Sequence, residues 1–400
     1  MSEVRLVQAG FGISSLGDFL ALTALTIRVH DTTGSPWAVS GLVLAGLLPL
    51  VVMGPPAGMI VDRTDPVRLL RVTLSAQAGI AVALAITSGY PGTLALVFAL
   101  GTGTAVCQAA LLALLPSLVS RDRLGRANGG LEAVRAAGIC LGPPLGGLIT
   151  TYWGTGGALL VDAVTFAVLG GAMFAVRAGR ASAGGAPQRT GRLLGGVAHI
   201  AREPVLRLAV GVLAGATLFL GGVSVSEVFF AKDTLRAGNL GYGTMLGAWG
   251  LGMVVGAIVT GQYTARRDPI TILAGGCLSA GVAVCLPALF PSVVLAVVCW
   301  FVGGCTNGAY HVAVRTLIHL RTPVQLQGRV FAAQYGAYTA AKLVAMLVGG
   351  LLVTWLSLRG AILAMGAATA LVGVTCLLVR LPRPVKEQAG HESRDEATAI

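Results

Sequence analysis

The sequence predicts an all-α integral membrane protein, and three observations support this fold class. Of its 400 residues, 55% are hydrophobic and only 11% are charged, whereas soluble domains carry roughly 25% charged residues. Apolar runs long enough to span a bilayer, roughly 17–25 residues, recur along the whole chain. Basic residues gather between alternate runs. The net charge of +12 is therefore attributed to membrane topology rather than to a nucleic-acid partner.

Twelve membrane spans are predicted by dividing the chain at charges, Gly/Pro clusters and polar turns. Their approximate ranges are 6–28, 37–60, 69–88, 92–117, 130–151, 157–176, 205–230, 242–263, 270–288, 292–318, 330–355 and 359–379. They form two six-helix bundles, 1–176 and 205–380. The segment between them, 177–204, is a Gly/Ala/Arg-rich cytoplasmic linker that ends in a short amphipathic helix. The polar tail 381–400 is expected to be disordered.

The distribution of basic residues predicts the orientation of the spans. With a cytoplasmic N-terminus, 23 of the 28 Lys and Arg residues lie on the cytoplasmic side, as expected for a multi-pass protein of the cell membrane with both termini inside. Arg5 and the run containing Asp18 do not resemble a cleavable signal. The seven cysteines lie in apolar runs without a CxxC pair, so neither a zinc site nor a disulfide framework is predicted. No cofactor or metal is expected, and the chain is predicted to be monomeric.

The two halves show a short internal repeat. A shift of 203 residues aligns Gly58 with Gly261, Arg63 with Arg266, and the dipeptide Asp65-Pro66 with Asp268-Pro269. Together with the six-plus-six layout, this match indicates two pseudo-symmetric bundles that arose by duplication. Asp62 has no counterpart, because Ala265 takes its place.

Two motifs carry a family resemblance. The segment from Gly58 to Arg68, GMIVDRTDPVR, resembles the G-x-x-x-D-R-x-x-R/K-R/K signature of the major facilitator superfamily, and its surroundings resemble the macrolide and siderophore exporter branch. In the fifth span, GICLGPPLGG resembles the antiporter motif of drug-exporting members, through Gly138, Gly142, Pro143, Gly146 and Gly147. Glycines four apart leave one bare helix face for close packing, and proline bends the helix. The fourth span lacks the arginine that drug–proton antiporters often carry there.

The signature loop is predicted to form a cytoplasmic gate. The resemblance implies that this turn, which begins with Gly58, meets the start of the eleventh span, so Asp62 is expected to cap that helix or to pair with Arg329. The alternative is that Asp62 is a solvated loop charge. Arg63 and Arg68 anchor the loop on the cytoplasmic side, and for Arg71 anchoring alone is expected. Two more charges in the fifth span complete the predicted gate, namely Glu132 and Arg135.

Ionisable groups within the spans mark a predicted substrate and proton pathway, because each is costly in a bilayer. Polar residues four apart share a helix face, as in the stripes Asn307, His311, Arg315 and Gln334, Tyr338, Lys342. The resemblance implies that spans one, four, seven and ten line a cavity, which adds Asp18, Gln108 and Glu227. Lys342 is expected to pair with Asp18 or Glu227. Alternatives stay open: a structural hydrogen bond for Asp18, snorkelling or pairing for Asp162, an ion pair with Lys232 for Glu227, and packing or hydrogen bonding for His311.

The function predicted from these features is export of a small hydrophobic or amphipathic compound by proton antiport. Asp18 or Glu227 would carry the proton. An importer or a lipid flippase of the same fold is the alternative, and a non-transporting membrane sensor is a third possibility. An enzyme is not expected, since the sequence contains no HExxH, GxSxG or P-loop motif.

Overall fold

The computed structural model describes residues 2–120, 123–176, 191–263 and 268–379. Within these ranges the chain forms helices joined by short turns. The first half of the predicted linker and the predicted tail lie outside the described residues. The helices are α1 (Ser2–Thr33), α2 (Pro36–Val52), α3 (Gly54–Arg63), α4 (Pro66–Ile86), α5 (Tyr90–Leu118), α6 (Leu124–Ala175), α7 (Gly191–Arg202), α8 (Pro204–Phe229), α9 (Gly238–Tyr263), α10 (Pro269–Leu289), α11 (Val293–Arg321), α12 (Val324–Trp355) and α13 (Leu358–Leu378), with a π turn, Phe230–Thr234, after α8.

The Asp-Pro dipeptides of the internal repeat begin the corresponding helices of the two halves. Asp65 Oδ1 accepts a hydrogen bond from the Arg68 backbone N–H at 2.8 Å, and Asp268 Oδ1 accepts one from the Ile270 N–H at 3.2 Å. Each side chain satisfies a backbone donor that the first helical turn leaves free. The proline that follows has no N–H to satisfy. The repeated dipeptide is therefore a repeated N-cap, of α4 and of α10.

Two predicted spans differ from the structure in their boundaries. The second span is divided at Met53 into α2 and α3, because the prolines in the first turn of α3 cannot donate to the preceding helix. Spans five and six are joined in α6, whose direction changes at Gly154, where φ is +70°. By length and composition, ten of the described helices are able to cross a membrane, and Pro36–Val52 is shorter. The count of twelve crossings stays a prediction.

The helices form two bundles, α1–α6 and α8–α13. In the first bundle α6 packs against α1 and α4, and in the second α9 packs against α11, α10 against α13, and α8 against α12. The main contacts between the two bundles are those of α6 with α9 and of α2 with α12. The linker helix α7 packs on α12.

The bundles have two common ends. We call one of them the sealed end, because contacts between the bundles close it. It is formed by the turns at 34–35, 87–89, 235–237, 290–292 and 356–357. The opposite end, where α1 begins, is called the N-terminal end. In the predicted orientation the sealed end faces the outside of the cell.

Candidate functional site

The glycine stripe of α6 lies directly against α1. A Cβ atom added at Gly142 would lie 2.7 Å from Phe19 Cβ, and one at Gly146 would lie 2.7 Å from the Leu20 backbone oxygen. At Gly138 it would meet the backbone between Ser15 and Leu16, at 2.9 Å and 3.0 Å. No side chain fits between these helices, so the bare face sets their spacing. The neighbour of Gly138, Gly142 and Gly146 is therefore a helix of the same bundle.

A second face of α6 packs on α9, across the boundary between the bundles. Gly247 of α9 lies so close to α6 that its Cβ would be 2.8 Å from the Cys140 backbone oxygen and 2.8 Å from Pro144 Cδ. Gly250 is equally close to the Ile139 backbone oxygen, and Gly147 of α6 meets the Asn239 backbone. These contacts run from the sealed end to about the middle of both helices. The second inter-bundle contact, of Gly350 with Trp37 and Ser40, also lies near the sealed end.

Charged side chains join the bundles at the sealed end. His30 Nδ1 lies 2.8 Å from Asp31 Oδ1, and His30 Nε2 lies 3.2 Å from Asp233 Oδ2. Lys232 Nζ donates to Asp31 Oδ1 at 2.5 Å and to Asn239 Oδ1 at 2.8 Å. We call these five residues the sealed-end cluster. His30 and Asp31 belong to the first bundle and the other three to the second, so the cluster closes this end across the boundary.

A cavity of about 310 Å³, which we call the central cavity, lies between the bundles. Its wall is mostly apolar, with residues of α1, α2 and α6 on one side and of α8, α9, α10, α11 and α12 on the other. The predicted pathway residues that line it are Glu227, Asn307, Tyr338 and Lys342.

Glu227 is the buried carboxylate of the central cavity. It is 9% exposed, and its Oε1 accepts a hydrogen bond from Trp300 Nε1 at 3.1 Å. Lys232, which the sequence offered as a partner for Glu227, bonds Asp31 and Asn239 in the sealed-end cluster instead. Glu227 therefore has a neutral hydrogen-bond donor in α11, and the ion pair with Lys232 is not formed.

A second cavity of about 350 Å³, the N-half cavity, lies among the helices of the first bundle. Asp18, Gln108 and Arg135 line it, and so does Asp162, which is 1% exposed. Asp162 Oδ1 accepts a hydrogen bond from the Thr165 hydroxyl at 3.3 Å. The carboxylate lies against Gly17, the residue before Asp18. Burial beside Asp18 contradicts the alternative that Asp162 snorkels to the membrane surface. Lys342 of α12 lines this cavity as well as the central one, so the two cavities meet at Lys342.

A third cavity, of about 280 Å³, extends the N-half cavity toward the N-terminal end. The two share Phe11, Gln108, Leu111 and Arg135. The wall of the third cavity continues to Asn128, in the second turn of α6, and to Glu132. The N-half and third cavities thus adjoin each other toward the N-terminal end, whereas the sealed-end cluster and the glycine contacts close the other end.

Comparison with known proteins identifies the family. The sequence profile of the Major Facilitator Superfamily matches residues 9–290 and 228–399. The chain belongs to this superfamily. Two solved structures of similar fold are the nucleoside transporter NupG, with a TM-score of 0.72, 14% identity and coverage of 94% of this chain and 99% of that one, and a bacterial homologue of the human lysosomal transporter Spinster in an inward-facing, unoccupied conformation, with a TM-score of 0.72, 14% identity and coverage of 94% and 95%.

Curated relatives of this superfamily member include efflux proteins. The multidrug efflux pump Tap of Mycolicibacterium fortuitum is 29% identical over 92% of this chain and 92% of its own. Macrolide efflux protein A of Streptococcus pyogenes is 20% identical over 93% and 95%. The lysophospholipid transporter LplT of Yersinia enterocolitica is 28% identical over 77% and 76%. The resemblance to the superfamily is confirmed, and so is the all-helical membrane fold.

Several predicted site residues lie elsewhere than expected in this superfamily member. Among the described residues, no carboxylate oxygen lies within 4.0 Å of the Lys342 ammonium, so the predicted pair with Asp18 or Glu227 is not formed in this conformation. His311 packs its ring against Tyr310 and Tyr338, with centroids 5.1 and 5.4 Å apart. It lies outside the three cavity walls, which agrees with the packing alternative. Gln334 is half-buried and lies outside these walls too.

The predicted contact of Asp62 with Arg329 at the N-terminal end stays a prediction. Arg329 lies beside Gly195 of α7, and α3 packs on α5. The side chain of Asp62 lies outside the described residues. A Cβ atom added at Gly58 would meet open space, and Arg63 and Arg68 are exposed.

Glu132 and Arg135 are exposed on the wall of the third cavity, and they form no ion pair within 4.0 Å in the described part of the chain. Their predicted role as a gate pair stays a prediction.

Three contacts were missed by sequence reasoning. Trp300 is 1% exposed and holds Glu227; the available signal was that a buried indole N–H requires an acceptor. Asp65 caps α4, which Asp-Pro before an apolar helix could have indicated. Arg71 donates to the Met173 backbone oxygen at 2.8 and 3.1 Å and stacks on Phe174, so loop anchoring is not its whole role. Nothing in the sequence pairs Arg71 with the end of α6.

Proposed function

We propose that this superfamily member is a secondary active transporter that exports a small hydrophobic or amphipathic compound by proton antiport. The observation that carries the proposal is the central cavity, which combines an apolar wall, one buried carboxylate and closure at the sealed end. Its volume of about 310 Å³ lies at the lower limit of small-ligand sites. Connection with the N-half cavity at Lys342 enlarges the space that a substrate can occupy. The efflux relatives Tap and macrolide efflux protein A support the direction of transport.

In the proposed cycle, the two bundles rock about the central cavity. The conformation described here faces the cytoplasm, given the predicted orientation with both termini inside. The substrate enters through the third and N-half cavities, and the sealed end then opens to release it outside. The protein acts as a monomer in the cell membrane.

Glu227 is proposed as the proton carrier. A carboxylate within a membrane span needs a functional explanation, because charge at that depth is costly. Glu227 lines the space between the bundles, so it is reached from either side in turn as the bundles rock. Asp18 is the weaker choice, because it has the charged groups Arg135 and Lys342 on the wall of the same cavity.

Resistance measurements test the proposal. The gene is expressed in an efflux-deficient bacterial host, which is challenged with macrolides, cationic dyes and other antibiotics, with and without a protonophore. Increased resistance that the protonophore abolishes is the expected result. Glu227→Gln should lose it, whereas Glu3→Gln, which changes a carboxylate outside the three cavities, should keep it. Resistance that persists with the protonophore or in Glu227→Gln would contradict proton coupling at Glu227.

Lipid transport is the second candidate, favoured by the lysophospholipid transporter among the relatives. The purified protein is reconstituted in vesicles that contain a fluorescent lysophospholipid, and the movement of the lipid between leaflets is measured. If this lipid moves between leaflets and the host gains no resistance to any compound, the assigned function is lipid transport and not drug export.

A further inference from the structure

The segment from Glu227 to Asp233 connects the buried carboxylate to the closed end of the bundles. It comprises the end of α8 and most of the π turn Phe230–Thr234. Glu227 lies on the central cavity, and Asp233 lies in the sealed-end cluster. π turns within helices are frequent at functional sites. The inference below rests on the proposed role of Glu227 as the proton carrier.

Trp300 contacts this segment twice. Its Nε1 donates to Glu227 Oε1 at 3.1 Å, and its ring is stacked on Phe230, with centroids 6.3 Å apart and planes at 10°. Trp300 and Phe230 are 1% and 0% exposed. Glu227 and Phe230 are three residues apart, so they lie on one helix face and meet the same indole. The Trp300 indole therefore contacts both Glu227 and Phe230 and links them within the buried interior.

The next residues of the segment contact the first bundle. The Phe229 ring meets the His30 ring edge-on, with centroids 4.8 Å apart. Asp233 and Lys232 reach His30 and Asp31. A displacement of Phe230 and its neighbours would thus pull on all three inter-bundle contacts, because they lie within four residues of it.

We propose that Trp300 is a positioning residue that transmits the ionisation state of Glu227, through Phe230, to the sealed-end cluster. The indole N–H is a donor only. It forms a charge-assisted hydrogen bond with ionised Glu227 and a weaker one with the neutral acid. Ionised Glu227 fixes Trp300 and keeps the sealed end closed. Protonation of Glu227, or a cationic group of the substrate that competes with the indole for Glu227 Oε1, releases Trp300 and permits opening.

This arrangement gives an antiporter one of the two restrictions that it requires, namely that on the empty carrier facing the cytoplasm. An empty carrier with an ionised carboxylate must not switch between the inward-facing and outward-facing conformations. Such a switch would let protons and substrate cross the membrane independently of each other. With Trp300 fixed by ionised Glu227, the empty carrier remains closed at the sealed end. Either of the two alternating ligands removes the restriction.

Spin-label distances across the sealed end test the proposal. Ser88→Cys and Ser292→Cys place labels on exposed turns of opposite bundles, in a full-length background whose seven cysteines are replaced and whose transport is verified. The distance distribution is measured in nanodiscs from alkaline to acidic pH. The parent protein is expected to be closed at alkaline pH and to gain a longer-distance population on acidification.

Three variants decide the outcome. Glu227→Gln should show the longer-distance population at every pH, and Trp300→Phe should show it at alkaline pH, several-fold above the parent. Trp153→Phe, a matched change of an exposed tryptophan near the same end, should behave as the parent. If Glu227→Gln opens the sealed end while Trp300→Phe retains the parent pH profile, the transmission through Trp300 is refuted and the role of Glu227 stands.

Other titratable groups could produce a pH dependence of their own. The groups that line the central cavity with Glu227 are Tyr242 of α9, Tyr310 of α11, and Tyr338 and Lys342 of α12. The sealed-end cluster contains His30, Asp31, Lys232 and Asp233. An unchanged pH dependence in Glu227→Gln would assign the titration to one of these groups and would overturn the proposal. Loss of protonophore-sensitive resistance in Glu227→Gln is measured separately, so failure of the proposed function is distinguished from failure of the transmission.

Discussion

Gly247→Ala should shift the two bundles away from the closed arrangement. Gly247 of α9 packs on α6 across the bundle boundary, and the new Cβ would lie 2.8 Å from both the Cys140 backbone oxygen and Pro144 Cδ. Ordinary contact begins at 3.4 Å, so each of these two distances is short by about 0.6 Å, and Pro144 Cγ is closer still. Neither atom can rotate away, because one belongs to the backbone and the other to a proline ring.

The cost falls on the conformation that contains this contact. Overpacking a well-packed contact costs about 1–3 kcal/mol. If opening the sealed end separates α6 from α9, the open conformation escapes that cost, and the closed-to-open ratio falls by roughly 5–150-fold. The expected change is therefore a redistribution between two conformations rather than a loss of folded protein.

Spin labels at Ser88→Cys and Ser292→Cys report the redistribution. The Gly247→Ala variant should show an enlarged longer-distance population at a pH where the parent is closed. Gly275→Ala is the control, because its Cβ meets open space and Gly275 belongs to neither the predicted gate nor the predicted pathway. A parent-like distribution in a folded Gly247→Ala protein would refute the reasoning, since it would mean that α6 and α9 stay in contact, or relax without moving, throughout the cycle.

Three further changes follow from individual contacts. Asp65→Ala removes the N-cap of α4 and should lower stability by about 0.5–2 kcal/mol, seen as a lower thermal midpoint of the detergent-solubilised protein; Thr64→Ala, outside the cap bond, is the comparison. Arg71→Met removes two bonds to the Met173 oxygen and should cost about 1.5–3 kcal/mol in the same assay, and a midpoint equal to that of the parent would show that water replaces them. Lys232→Asp should reduce transport by loosening the sealed-end cluster, and the added change Asp31→Lys in the same chain should restore part of the transport. The pair is partly exposed, so a coupling energy of about 0.2–1 kcal/mol between the two residues is expected. No recovery of transport in the double variant would argue against the pair.

Hydropathy and charge were sufficient to predict the fold, because both are local properties that can be evaluated from the sequence of a membrane protein segment by segment. Each predicted span except the second coincides with a helix or with part of one, since bilayer thickness fixes a minimum length of apolar sequence. The errors arose where helices meet. The division at Met53 and the fusion of spans five and six at Gly154 depend on backbone geometry at single residues, and hydropathy does not register it.

The candidate site was less predictable because its contacts join residues far apart in sequence. Helical spacing placed Asn307, Tyr338 and Lys342 on cavity-facing stripes, and the structure puts them on the central cavity. The same spacing also selected His311, which packs on tyrosines instead. Four-residue periodicity identifies a shared helix face without identifying the neighbour of each side chain on it. Partners such as Trp300 for Glu227, 73 residues away, follow only from the packing of α8 on α11.

One charged residue of the internal repeat is present in only one half of the chain, and its predicted role in a gate between the bundles gives a reason for this asymmetry. Asp65 and Asp268 both cap a helix, which each bundle needs in every conformation, so both halves retain an Asp-Pro. Asp62 has no such structural counterpart, since Ala265 stands at the equivalent position. A residue that acts across the boundary between the bundles needs only one copy, because its partner lies in the other bundle. The sealed-end cluster follows the same rule, with His30 and Asp31 in one bundle and Lys232 and Asp233 in the other. We therefore expect the unrepeated charges of this chain to be the ones that act between the bundles, whereas the repeated ones hold each bundle together.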